Sequence, residues 1–171
     1  MILIYAFTNN WGTNISRRVL VELEKILNTD KINYQVVYFS PQRFFDKNIN
    51  GSNYDLIVGL GDFYGNIFKI RMETVAHNRL GDKTINPLSP YVLELSMPEM
   101  DIVDTNKFSV GENMGNYNCN FMAYKIQEMI NNHQPNLKQL FFHIGKRSEA
   151  KTVAKNIAEL LKNNNLIFYL H

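Results

Sequence analysis

The sequence has a single cysteine, Cys119, so no disulfide can form within the chain. A lone thiol suits a reducing compartment and raises the question of what it does there. Neither sign of charge is in excess: 18 Lys and Arg stand against 16 Asp and Glu, a formal net charge of +2. The clustered basic residues that nucleic acid or a membrane surface would require are missing. No apolar run approaches the roughly 20 residues that cross a bilayer. The apolar start, residues 1–7, lacks a basic leader and runs into Thr8-Asn9-Asn10, which reads as a buried strand rather than a signal peptide. The four histidines show no metal-ligand spacing, so neither a metal nor a cofactor is expected. Repeats, low-complexity linkers and charge blocks are absent too. The expectation is one cytoplasmic domain over residues 1–171.

What the sequence does contain is 45% hydrophobic residues, enough for a real core in a chain of this length. Short apolar runs at residues 2–7, 34–39, 55–60 and 140–144 read as buried strands, near-continuously apolar as in a parallel sheet. Between and after them come helical spacings. Residues 13–27 carry Ile15, Val19, Leu20 and Leu23, with Thr13 or Asn14 as N-cap. Residues 120–131 and 148–162 carry two more. Strands alternating with helices predict an α/β protein with a mostly parallel sheet covered on both faces. The middle, residues 66–109, is broken by Pro87, Pro90 and Pro98, and residues 91–97 are extended as an edge strand or a loop.

Two places at strand–helix junctions carry chemistry-bearing residues. Gly59-Leu60-Gly61-Asp62 closes the third strand, as an ordinary strand-end turn or a close backbone approach to a ligand. It is not a GxGxxG nucleotide fingerprint. Cys119, in Gly115-Asn116-Tyr117-Asn118-Cys119-Asn120, opens a helix. Free amides and a positive partial charge at a helix N-terminus lower a thiol's pKa and can hold an oxyanion, so Cys119 is either a nucleophile or an inert core cysteine. His143 ends the fourth strand and is either a general base or a core histidine bonded to backbone.

Five segments together resemble the pyroglutamyl-peptidase I (pyrrolidone-carboxylate peptidase) family. Phe7 leading to Asn14-Ile15-Ser16 is similar to the family's opening strand, phenylalanine and Asn-Pro-Ser. The Gly59-Leu60-Gly61 run resembles its third strand end. Ile70-Arg71-Met72-Glu73-Thr74-Val75-Ala76-His77-Asn78 is similar to Ile-x-x-Glu-Arg-Val-Ala-x-Asn. Gly115-Asn116-Tyr117-Asn118-Cys119-Asn120 resembles Gly-Thr-Tyr-Leu-Cys-Asn, and Phe141-Phe142-His143-Ile144 resembles Phe-Ile-His-Val.

The resemblance implies a three-layer α/β/α sandwich of the phosphorylase/hydrolase-like type. It implies a Cys119–His143–Glu73 triad that removes an N-terminal pyroglutamyl group, with a peptide or small amide as substrate, no metal or cofactor, and assembly as homo-dimers or homo-tetramers. Phe7, Trp11, Asp62 and Lys83 stand where the family places substrate-contacting groups. The departures also fall there: residues 8–11 lack the family's proline and second phenylalanine, leaving Trp11 as substitute. Lys83 occupies the place of an arginine, and a point charge does not replace a planar fork. The alternatives are a binding module with a drifted pocket, or a cysteine amidase on another acyl-amide.

Overall fold

The structure is a computed structural model that describes residues 1–9, 11–38, 40–65 and 68–167. Its elements in chain order are β1 (Ile2–Phe7), α1 (Ile15–Ile26), β2 (Ile32–Val37), α2 (Pro41–Asn48), β3 (Leu56–Phe63), β4 (Ile70–Glu73), β5 (Val75–His77), β6 (Val92–Glu94), β7 (Phe108–Gly111), α3 (Asn118–His133), β8 (Lys138–Gly145) and α4 (Ala150–Asn163). Six strands form one sheet in the order β2-β1-β3-β8-β4-β7, and β5 and β6 pair separately.

The four central and left-hand strands run parallel, while β4 meets β8 antiparallel and then pairs parallel with β7. Alternation along the strands sorts the core into two faces. On one, Ile4, Val58, Leu60, Phe142 and Ile144 pack against Val19 and Leu23 of α1 and Ile157 and Leu161 of α4. On the other, Leu3, Tyr5, Ile57 and Phe141 pack against Phe44 and Phe45 of α2 and Met122, Ile126 and Ile130 of α3. Each such fully buried side chain stabilises the fold by about 1.5–3 kcal/mol. The α/β expectation, a mostly parallel sheet between two helical layers, is met.

Several boundaries differ from the sequence reading, each for a local reason. Gly59-Leu60-Gly61-Asp62 is not a turn: β3 continues through it to Phe63. The glycines serve close approach instead. A Cβ at Gly59 would lie 2.5 Å from the Phe141 ring and 2.6 Å from Tyr5 Oη, and one at Gly61 would lie 2.7 Å from Cys119 Sγ. The strand expected over residues 34–39 is β2, Ile32–Val37, with Phe39 outside the described residues. The final helix begins at Ala150, capped by Glu149, whose carboxylate accepts from the amides of Lys151 and Thr152. α2 went unpredicted, although Ser40 caps it by accepting from Arg43 N and Pro41 opens it. Of residues 91–97, only Val92–Glu94 is strand.

Candidate active site

The antiparallel junction of β4 with β8 sets the site. Arg71 pairs with His143 across it, and Gly61 pairs with His143 across the parallel β3–β8 ladder. Directly opposed residues share a face, and so do residues two apart on one strand. Arg71, Glu73, His143, Phe141 and Gly61 therefore all face the layer that holds α3. Glu73, two residues beyond Arg71, is diagonal to His143, and its Oε1 lies 2.6 Å from His143 Nδ1. Both are buried, Glu73 completely. An ionised carboxylate only accepts, so with Glu73 ionised Nδ1–H is the donor, and in a neutral imidazole the lone pair then falls on Nε2.

Cys119 comes from that layer, in the first turn of α3. Gly115 takes φ 80°, a left-handed conformation that glycine adopts freely, as the chain turns into α3. The first intrahelical bond runs from Phe121 N to Tyr117 O, so the amides before Phe121 precede the ladder. The thiol drops onto the gap that Gly61 leaves in the sheet. Sγ thus sits over the strand neighbouring that of His143, at the position paired with it. Among the described residues no hydrogen bond joins Sγ to the imidazole, whose one bonded nitrogen is the Nδ1 that meets Glu73.

Burial works against the depressed thiol pKa that a helix N-terminus favours. Burial pushes Cys119 up to about 12, and the negative charges of Asp62 and then Glu73 add to it; only its own backbone amide works the other way. Desolvation outweighs the helix terminus here, because the partly buried cysteine packs against the apolar cluster between the sheet and α3.

Asn120, fully buried, fastens the segment after β5 to α3: its Oδ1 accepts from His77 N at 2.7 Å, and its Nδ2 donates to His77 O at 2.8 Å and Arg79 O at 2.7 Å. That segment and residues 113–116 bound an open cavity of about 380 Å³, lined by His77, Arg79, Tyr91, Asn113, Gly115 and Asn116. It shares Gly115 and Asn116 with the loop leading to Cys119.

The other residues singled out in the sequence are dispersed. Asp62 Oδ1 accepts from Ser16 N in the first turn of α1, tying β3 to that helix. Phe7 is half-buried beside Tyr5, with ring centroids 5.8 Å apart. Trp11 is 83% exposed and lines a groove with Arg17, Arg18 and Lys151 that includes none of Cys119, His143 and Glu73. Lys83 is exposed in a loop with Asn78, Gly81 and Asp82. Arg71 is a further site residue that no motif in the sequence marks. Its Nε donates to Glu73 Oε1 at 2.6 Å, Nη2 lies 2.6 Å from the same oxygen, and Nη2 donates to Asn113 O at 2.8 Å. The polar–apolar–polar alternation Arg71-Met72-Glu73 was the available signal, since it puts both charges on one strand face.

Sheet order, the single antiparallel junction and helices on both faces define an α/β/α sandwich on a mostly parallel sheet. This is the fold of the solved pyroglutamyl peptidase I structures. The enzyme from Bacillus amyloliquefaciens aligns over 97% of this chain and 97% of its own with a TM-score of 0.75 and 15% identity. The pyrrolidone carboxyl peptidase of Fervidobacterium islandicum covers 96% and 97% at a TM-score of 0.75 and 20% identity. A mutant pyrrolidone carboxyl peptidase from Pyrococcus furiosus covers 98% and 99% at 0.77 and 14%. At these identities the likeness is one of fold. No family model matches the sequence, and no curated protein does.

Proposed function

We propose that the protein is a cysteine hydrolase of the pyroglutamyl-peptidase I kind, with residues 1–171 forming one such domain. Cys119 is the nucleophile, His143 the general base and then acid, and Glu73 the group that orients the imidazole. The observation that carries this reading is the buried 2.6 Å contact of Glu73 with His143 Nδ1, on the sheet face where Cys119 Sγ rests against Gly61. The near full-length fold likeness to pyroglutamyl peptidases supports it.

In the proposed cycle the resting thiol is neutral at pH 7, because burial raises it to about 12. It is not a preformed thiolate, and attack requires His143 Nε2 to take the thiol proton as the sulfur meets the amide carbonyl. The tetrahedral oxyanion is held by amides at the start of α3. His143 then returns the proton to the leaving amine as the C–N bond breaks, leaving a thioester at Cys119. Water, deprotonated by the same nitrogen, hydrolyses it and restores the thiol. Glu73 keeps the Nδ1–H tautomer throughout.

For the substrate, a pyroglutamyl ring needs apolar walls. Phe7 stands half-buried at the end of β1, but Trp11 is exposed beside arginines and offers no second wall to the site. We therefore expect slow release of a fluorescent amine from pyroglutamyl amides, faster release from another member of an acyl-amide panel, and no release by Cys119→Ala. Full thermal stability with no hydrolysis of any amide would instead favour a binding module on the same fold.

A further inference from the structure

We infer that Arg71 is a positioning residue that supplies the countercharge of the buried Glu73 carboxylate and fixes Glu73 Oε1 on the imidazole. Glu73 is wholly inside the protein, where an isolated carboxylate is strongly disfavoured. All its observed bonding falls on one oxygen: Oε1 meets His143 Nδ1 and both Nε and Nη2 of Arg71, each at 2.6 Å, whereas Oε2 is buried with no hydrogen-bond partner. The cation is itself held from three sides. Nη2 donates to Asn113 O, the guanidinium lies 4.2 Å over the Phe63 ring, and β7 comes so close that a Cβ at Gly111 would sit 2.6 Å from Glu73 Oε2 and 2.7 Å from Arg71 Nε. This is a built socket, not a surface ion pair.

The charged and titratable groups around Glu73 come from each packed element: Arg71 from β4 itself, His143 from β8, and Cys119 from α3, whose thiol also feels Asp62 of β3. β7 contributes Gly111 at the contact and no charge. Arg71 is the one permanent cation among them. Remove it, and the remaining Glu73–His143 pair retains a proton in the folded state that the unfolded chain releases.

The catalytic consequence rests on the function proposed above, but the test does not. Equilibrium unfolding is measured for wild type, Arg71→Gln, Arg71→Lys, Glu73→Gln and the Arg71→Gln/Glu73→Gln double variant between about pH 4.5 and 8, the window spanning unperturbed carboxyl and imidazole titration. In Arg71→Gln the folded state binds the extra proton, so its deficit relative to wild type should grow with pH. The growth approaches tenfold in the folding constant per pH unit where one proton separates the two states. The double variant should lose that growth, and Arg71→Lys should keep most of the wild-type behaviour. If Arg71→Gln does not fold at pH 7, folding at pH 5 together with a folded double variant at pH 7 gives the same answer. A deficit equal at every pH, or unchanged by Glu73→Gln, overturns the inference and leaves Arg71 a packing residue. Where the wild type hydrolyses an amide, Arg71→Gln should also move the rising limb of its kcat/KM profile to higher pH. Absence of hydrolysis counts against the proposed reaction alone, since the unfolding series still decides the role of Arg71.

Discussion

Replacing Gly61 by alanine puts a methyl carbon where Cys119 Sγ now rests, and it tests whether β3 admits the thiol through that gap. The added Cβ would lie 2.7 Å from Sγ and 3.0 Å from two carbons of the Phe141 ring. Ordinary van der Waals contact needs roughly 3.5–4 Å, so the start of α3 or the thiol must yield by about 1 Å. Overpacking of this size costs about 1–3 kcal/mol. Against it, alanine stiffens the unfolded chain and favours folding by about 0.4–1 kcal/mol. Strain wins over nearly all of that range, for a net loss of up to roughly 2.6 kcal/mol, about 1.3 at the midpoints, and a fall in Tm of about 3–5 °C at that midpoint for a chain of this size. Thermal and urea unfolding measure it. A double-mutant cycle with Cys119→Ala assigns it, because removing the sulfur leaves only the Phe141 contact and should recover part of the loss. Gly61→Ala as stable as wild type, with no coupling to Cys119→Ala, would refute the placement of the thiol on the sheet.

Four further outcomes follow from the structure. Iodoacetamide labelling of Cys119 should rise with pH well past the roughly 8.5 of a free cysteine, since burial raises the folded thiol to about 12, and a plateau at or below 8.5 would contradict this. By linkage that thiol's contribution to stability is complete below about pH 8.5 and is lost as pH climbs toward 12, so Cys119→Ala should show a shallower alkaline loss in urea titrations. Asp62→Asn removes the second cause of the elevated thiol, so labelling at a fixed mildly alkaline pH should accelerate. Asn120→Ala breaks three hydrogen bonds to the backbone of His77 and Arg79 and strands a buried amide, which should cost about 2–4 kcal/mol in urea unfolding.

The parts of this fold legible in the sequence are those whose cause is local. Four near-continuous apolar runs announced β1, β2, β3 and β8, and 3.6-residue spacing announced α1, α3 and α4, because both faces of the sheet and one face of each helix are buried. Short elements failed the same test. α2 shows only Phe44 and Phe45 as buried anchors, and β4 and β7 are four residues each, too brief for a period to emerge. Gly59 and Gly61 were misread as a turn because glycine marks both a bend and a close approach, and only the positions of Tyr5, Phe141 and Cys119 decide between them. The thiol's environment was misjudged for a related reason: a helix N-terminus is visible in sequence, whereas the desolvation that outweighs it comes from residues distant in the chain. Glu73 and His143 were paired by motif resemblance, but the reason they meet, an antiparallel junction inside an otherwise parallel run of strands, is a property of topology.

The proposed reaction turns on attack of Cys119 on an amide with the help of His143. Acid-quenched mass spectrometry of the protein mixed with an acyl-amide panel tests it most directly. The expected product is an acyl thioester mapped to the peptide carrying Cys119, formed by the wild type and absent from His143→Ala and Cys119→Ala. Amine release without acylation of Cys119, or acylation that persists in His143→Ala at the wild-type rate, would contradict it.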